Sequence, residues 1–217
     1  MILEPIRPAI LSVRRIHNAH ESVLVGYGAD PSRHSSLGLI TCDQDDSTYV
    51  ALDEATKHAP VEVVYARSFY AGASFSSGRL SGEILGVLAG AGPAEIETGL
   101  RALVGCLEHD ACFYHGDERG EIALFPHVVS SIGHYLAQES GLPLGSSMAY
   151  LVAPPMEGTV GIDRALKEAN VRVAKLFPPP TETNYTAAWL AGELSECEAA
   201  ASAFAEAVVA VGREPRV

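Results

Sequence analysis

The stretch GIDRALKEANVRVAKLF, residues 161–177, decides the architecture, because the chain contains it in two versions. It reads as a helix that stops at Asn170 and passes directly into an alternating strand from Val171, the period changing from helical to two-residue. The earlier version is LDEATKHAPVEVVY, residues 52–65, where Asp53, Ala55, Lys57, Ala59, Val61 and Val63 stand for Asp163, Ala165, Lys167, Ala169, Val171 and Val173. One spacing of 110 residues, 53 to 163 and 63 to 173, carries both helix and strand.

Working outward, SLGLITCD from Ser36 and SMAYLVAP from Ser147 are apolar strands that precede each helix after a polar loop. Downstream, GEILGVLAGAGPAEIETGLRALVGCLE from Gly82 pairs with TAAWLAGELSECEAAASAFAEAVVAVG from Thr186, each an apolar strand, a turn and a long helix. Between Gly90 and Gly192 the spacing is only 102, so the first copy carries extra residues, which fall in the Gly- and Ser-rich loop AGASFSSGRLSG, 71–82. RPAILSVRRIHNA, 7–19, and PHVVSSIGHYLAQESG, 126–141, each follow or contain a proline at a helix-start position and read as a front helix in each copy. An ordered set of elements at near-constant spacing is a duplication and not a chance likeness between two amphipathic helices. The expectation is an α/β chain built as two α+β domains, residues 1–109 and 110–217.

Hydrophobic residues make up 47% and charged residues 19%, enough apolar material for a core in both copies. Fifteen Lys and Arg against 27 Asp and Glu give a net charge of −12, which argues against nucleic acid as a partner. The N-terminus MILEPIRP lacks an export signal's basic and apolar regions, and no apolar run reaches spanning length, so a cytoplasmic protein with no membrane segment is expected. Cys42, Cys106, Cys112 and Cys197 form no CxxC pair, and His127 with His134, seven apart on the predicted front helix, make at most a faint metal pair. No metal or cofactor is expected. G-x-S-x-G, GxGxxG and the P-loop are all absent, which points away from an enzyme.

The repeated pattern D-x-A-x-K-x-A-x-V-x-V resembles the helix-to-strand signature of the bacterial microcompartment shell domain. SLGLITCDQDD, ALDEATKHAPVEVVYARSFYAGA, MAYLVAPPMEGTVGID and PPPTETNYTAAWLAG are similar to the tandem-domain shell proteins of ethanolamine utilisation, and the likeness covers nearly the whole chain. The resemblance implies a circularly permuted shell domain in duplicate, with three chains forming a pseudohexagonal homotrimer that tiles a shell with other shell proteins and carries gated pores. It also implies an ethanolamine site. In the loop DQDD, 43–46, helix-starting acids are explained by capping and the helix dipole, but three are more than capping needs, and the resemblance places the amino alcohol beside Asp45 and Asp46.

Phe113, in CFYHG, is equally well a core side chain or a cation-facing wall; the resemblance assigns it to the ligand, with Glu157 of APPMEGT and Thr183 of PPPTETN. It assigns the stretch around Tyr114, His115 and Gly116 to the central pore, where this chain departs from the pattern, and Lys57 and Lys167 to the tile edges. A cation at a helix C-terminus is sufficient ordinary reason for either lysine. The competing reading is a soluble two-domain α/β protein that binds, or acts as an enzyme on, a cationic small molecule.

Overall fold

The computed structural model describes residues 4–69, 77–117, 119–179, 181 and 183–216. They form two compact units, one of residues 7–111 with 133–136, the other of residues 4–6, 112–132 and 137–216. The boundary between the units falls at 111/112, and the segments 4–6 and 133–136, each grouped with the other half of the chain, are not foretold by the repeat.

In the first unit, β2 (Ile10–Ile16), β3 (Ser36–Cys42), β4 (Glu62–Ser68) and β5 (Ile84–Gly90) form an antiparallel sheet in the order β2-β3-β5-β4. Helices α2 (Asp45–His58) and α3 (Pro93–His109) pack on one face and the short α1 (Glu21–Gly26) lies over a second cluster of Leu24, Leu37 and Val87. Pro93 suits the first turn of α3, and the Glu95 carboxylate reaches back to the Gly92 N–H at 2.6 Å, satisfying a donor the helix start leaves open. Close packing of α2 on the sheet uses Gly86, where a Cβ would stand 3.0 Å from Leu52.

The second unit repeats this arrangement with β7 (Ala123–Val129), β8 (Ser147–Ala153), β9 (Arg172–Phe177) and β10 (Thr186–Gly192), and with α5 (Pro155–Glu168) and α6 (Leu194–Arg213) on its core face. Even the irregularities recur. Val64 is an extra residue in the β4–β5 pairing and Ala174, 110 residues on, is the extra residue in β9–β10. Its sheet is longer, ordered β1-β6-β7-β8-β10-β9, because β1 (Glu4–Ile6) pairs with β6 (Phe113–His115), which pairs with β7. The core side is closed by Leu151, Ile162, Leu190, Phe204 and Val208.

One expectation fails in both copies. Residues 10–16 and 123–129 are strands, and the front helices are only the short α1 and α4 (His134–Ser140) that follow them. Pro126 reads as a helix opener, yet it sits in β7 beyond the reach of β6, so its missing N–H falls where β7 has β8 alone as neighbour. His127 is therefore on a strand, stacked on Phe125 at 5.1 Å, and His134 opens α4, so they share no helix face. The loop 71–82 lies outside the described residues up to position 76. From 77 it is turn and bend, anchored by Gly82 at φ +62°, where a Cβ would meet the Cys42 carbonyl oxygen at 2.2 Å.

Candidate functional site

The DQDD loop lies where β3 passes into α2, and the structure separates the roles of its acids. Asp43 secures the loop, its Oδ1 accepting the Ala9 N–H at 2.7 Å. The N-cap is Gln44, whose side chain accepts from Ser47 Oγ at 2.8 Å and makes no cap to a backbone N–H. Asp45 and Asp46 are the first two helical residues, where their charge suits the positive end of the helix dipole, and both are buried. Asp45 Oδ2 accepts from Ser68 Oγ, at the end of β4, at 2.6 Å, and Oδ1 accepts the Asp46 N–H at 2.9 Å. A buried carboxylate oriented by a hydroxyl at the end of a strand is a suitable acceptor for a small ammonium group.

The remaining ligand candidates belong to the second unit. Phe113 is 7% exposed in β6, 5.0 Å from the Phe125 ring and 6.3 Å from Tyr185, so the chain uses it as a core aromatic. Thr183 and Glu157 are half-buried, and both lie near one contact: Thr186 Oγ1 donates to the Pro155 carbonyl at 3.3 Å, joining the start of β10 to the start of α5. In the turn before β10, Thr181 Oγ1 donates to the Tyr185 carbonyl at 2.9 Å and Asn184 adopts φ 62°. Phe113, Glu157 and Thr183 are thus tied to the same short set of elements through Tyr185 and Thr186. Asp45 and Asp46 are positioned independently, in the first unit.

The assigned pore residues are ordered. Tyr114 and His115 pair with Pro5 and Glu4 of β1, and the Gly116 N–H reaches the Ile122 carbonyl at 2.8 Å. Gly116 is required by closeness, since a Cβ there would stand 2.9 Å from Ile122. Asp117 closes the turn, its Oδ1 accepting the Ile122 N–H at 2.9 Å. His115 Nδ1 is buried without a hydrogen-bond partner. Of the edge candidates, Lys57 pairs with Glu54 and Lys167 with Asp163 at 2.5 Å; burial would raise the Glu54 pKa, but hydrogen bonds from Lys57 and His58 outweigh it and hold the carboxyl low.

Two features were not read from the sequence. A row of rings, Phe113, Phe125, Tyr150, Trp189 and Phe177, runs across the second sheet with centroids 5.0 to 5.5 Å apart, and Lys175 Nζ lies 5.2 Å from the Trp189 ring. One aromatic residue near the middle of each of β7, β8 and β10 was the available signal. The other is Asp53, which is fully buried and accepts from Gly133 and Leu136 at 2.6 and 2.9 Å. Among the described residues no cluster of His, Cys, Asp and Glu could hold a metal ion, and no helix is long and apolar enough to cross a membrane.

Duplicated antiparallel sheets, each with two long helices on one face, define a tandem shell-domain architecture, and residues 36–112 match the BMC domain family. The trimeric bacterial microcompartment shell protein PduB shares the fold at a TM-score of 0.73, with 16% identity over 93% of this chain and 89% of that one. Much greater similarity is found to the bacterial microcompartment shell protein EutL. The Salmonella typhimurium protein is 46% identical over 98% of this chain and 97% of its own, and that of Clostridium perfringens 48% over 97% and 96%. The crystal structure of the ethanolamine utilization protein EutL from Leptotrichia buccalis superposes with a TM-score of 0.96 at 43% identity, each chain covered completely. The chain belongs to the EutL family of bacterial microcompartment shell proteins, structural proteins and not enzymes.

Proposed function

We propose that three copies of this chain close into a pseudohexagonal tile of six domains, that the tiles pave the shell of a cytoplasmic microcompartment for ethanolamine utilisation together with other shell proteins, and that their pores admit small metabolites. The observation that carries this reading is the duplication: two copies of one shell domain per chain, matched down to the bulges at Val64 and Ala174. Duplication gives a six-sided outline while freeing the two domains to differ, and they do differ, in the added strands β1 and β6 and in the turn after Gly116. The tile's ligand is ethanolamine, with Asp45 as the carboxylate facing its ammonium and Asp46, Phe113, Glu157 and Thr183 as the further positions that family likeness assigns to it. Residues 114–116 line the central pore, and ethanolamine favours the closed pore only insofar as it binds that state more tightly.

Electron microscopy of the overexpressed chain tests this reading. Regular planar sheets are the expected result. Discrete particles at every concentration would favour the competing reading, a soluble protein with a site for a cation.

A further inference from the structure

The duplication separates what the shell domain needs from what one copy holds alone. At a spacing of 110 residues α2 and α5 correspond end to end, 14 residues each, and their core positions agree: Ala55 and Ala165 are both 0% exposed, Leu52 and Ile162 0% and 5%. The hydrogen bond from Ser68 to Asp45 does not correspond. Asp45, the first residue of α2, has Pro155 as its counterpart, and Ser68, the last residue of β4, has Pro178, just past the end of β9. A proline side chain neither donates nor accepts, so the second copy lacks both partners at once.

The second copy still ties its helix start to a strand, because Thr186 Oγ1, at the start of β10, donates to the Pro155 carbonyl at 3.3 Å. A backbone acceptor is therefore sufficient for that junction. The first copy places an ionisable side chain there instead, 7% exposed, where burying its charge costs stability unless a partner compensates it. The shared scaffold gives no reason for that cost, whereas a site for a cation does.

We propose that Ser68 is the positioning residue of the ammonium site, its hydroxyl holding the Asp45 carboxylate in the orientation that receives the ligand's N–H groups. The proposal rests on the reading of Asp45 as the acceptor for ethanolamine and deepens it. The Asp46 N–H bonds Oδ1 at 2.9 Å from the same turn of α2, and Ser68 Oγ bonds Oδ2 at 2.6 Å from the end of β4, so the two oxygens are held from different elements. Ser68 is itself set by the sheet, paired with Ile84 of β5, which pairs with Cys42 at the end of β3, just ahead of the loop that leads to Asp45. The hydroxyl gives its one hydrogen to the carboxylate, and a hydrogen bond of this kind favours the ionised form that an ammonium needs.

The test compares Ser68→Thr with Ser68→Val, side chains of one shape that differ in the hydroxyl, by calorimetric titration of the full chain with ethanolamine from neutral pH down through the carboxylate range. Ser68→Thr should bind much as the unmodified chain does. Ser68→Val should bind about tenfold more weakly, the factor carried by one hydrogen bond to a charged group, and its further loss of affinity toward acid should begin at higher pH. Ser68→Ala, which adds no volume, replaces Ser68→Val where the latter does not fold. Equal affinity with and without the hydroxyl would overturn the proposal. Weakening by one constant factor at every pH would place the hydroxyl on the ligand itself and overturn the positioning role. An unmodified chain that binds no ethanolamine would overturn the reading of Asp45, and this inference with it.

Discussion

Asp45 combines burial with a short positioning bond from Ser68 Oγ at 2.6 Å, which reaches its carboxylate from outside its own helix. An ammonium on such a carboxylate makes a charge-assisted hydrogen bond, worth about 1.5 to 3 kcal/mol. Asp45→Asn removes the charge with almost no change in volume and keeps an acceptor for Ser68. Ethanolamine affinity measured by calorimetric titration should fall by that amount, roughly 10- to 150-fold. Unchanged affinity would leave Asp45 with only its role in the first turn of α2. The DQDD loop was legible because acids cluster where a strand hands over to a helix. Ser68 was not, since the contact spans 23 residues and depends on β4 ending at the same end of the sheet as β3, across the intervening β5. Phe113 shows the opposite limit: sequence offered core and ligand roles equally, and its ring contacts with Phe125 and Tyr185 are visible only in the structure.

At the scale of elements, α2 is a helix whose outer face anchors the first turn of α4. Burial pushes the Asp53 pKa up from the ordinary carboxylate value of 3.8, while the Leu136 and Gly133 N–H groups pull it back only in part. A raised native pKa means that the folded state holds the proton more tightly, so this group's contribution to stability falls as pH rises through the window above 3.8. In Asp53→Asn one carboxylate oxygen becomes an amide donor facing an N–H. One buried N–H loses its acceptor, and the variant should be less stable by about 1 to 3 kcal/mol. The deficit should narrow from acid toward neutral pH, because only the wild type loses stability there through this group. Urea unfolding of both proteins across that range checks the sign, and a deficit that widens with pH would contradict it. The depressed Glu54 pKa acts oppositely, with stability lost as pH falls, but it is common to both proteins and cancels in the comparison. The long helices and central strands were legible from periodicity and from the 110-residue spacing. The front strands were not, because Pro8 and Pro126 imitate helix starts, and the pairing that makes residues 10–16 and 123–129 strands comes from partners far along the chain.

In the whole molecule the repeat is the proposed unit of assembly. Lys57 and Lys167 occupy the same position in the two copies, each now paired on its own helix. If both face neighbouring tiles, their stems pack along the next tile and their ammonium groups bond to its backbone, so Lys57→Asp with Lys167→Asp should abolish sheets and leave trimers intact. Electron microscopy with light scattering on one sample separates the outcomes: persistent sheets would refute the edge assignment, and loss of the trimer would move the lysines to the subunit contact. The repeat itself was legible, and the expectation of six domains in a ring came from the family resemblance it carries. The segments exchanged between units, 4–6 and 133–136, were not, since neither has a pattern that names its partner.

Everything proposed about tiles and pores depends on how many chains complete the ring. The most direct measurement is the solution mass of the unmodified protein at micromolar concentration by multi-angle light scattering. The account predicts a species of about three times the chain mass, because two domains per chain make three chains the number that closes six. A stable monomer would contradict it.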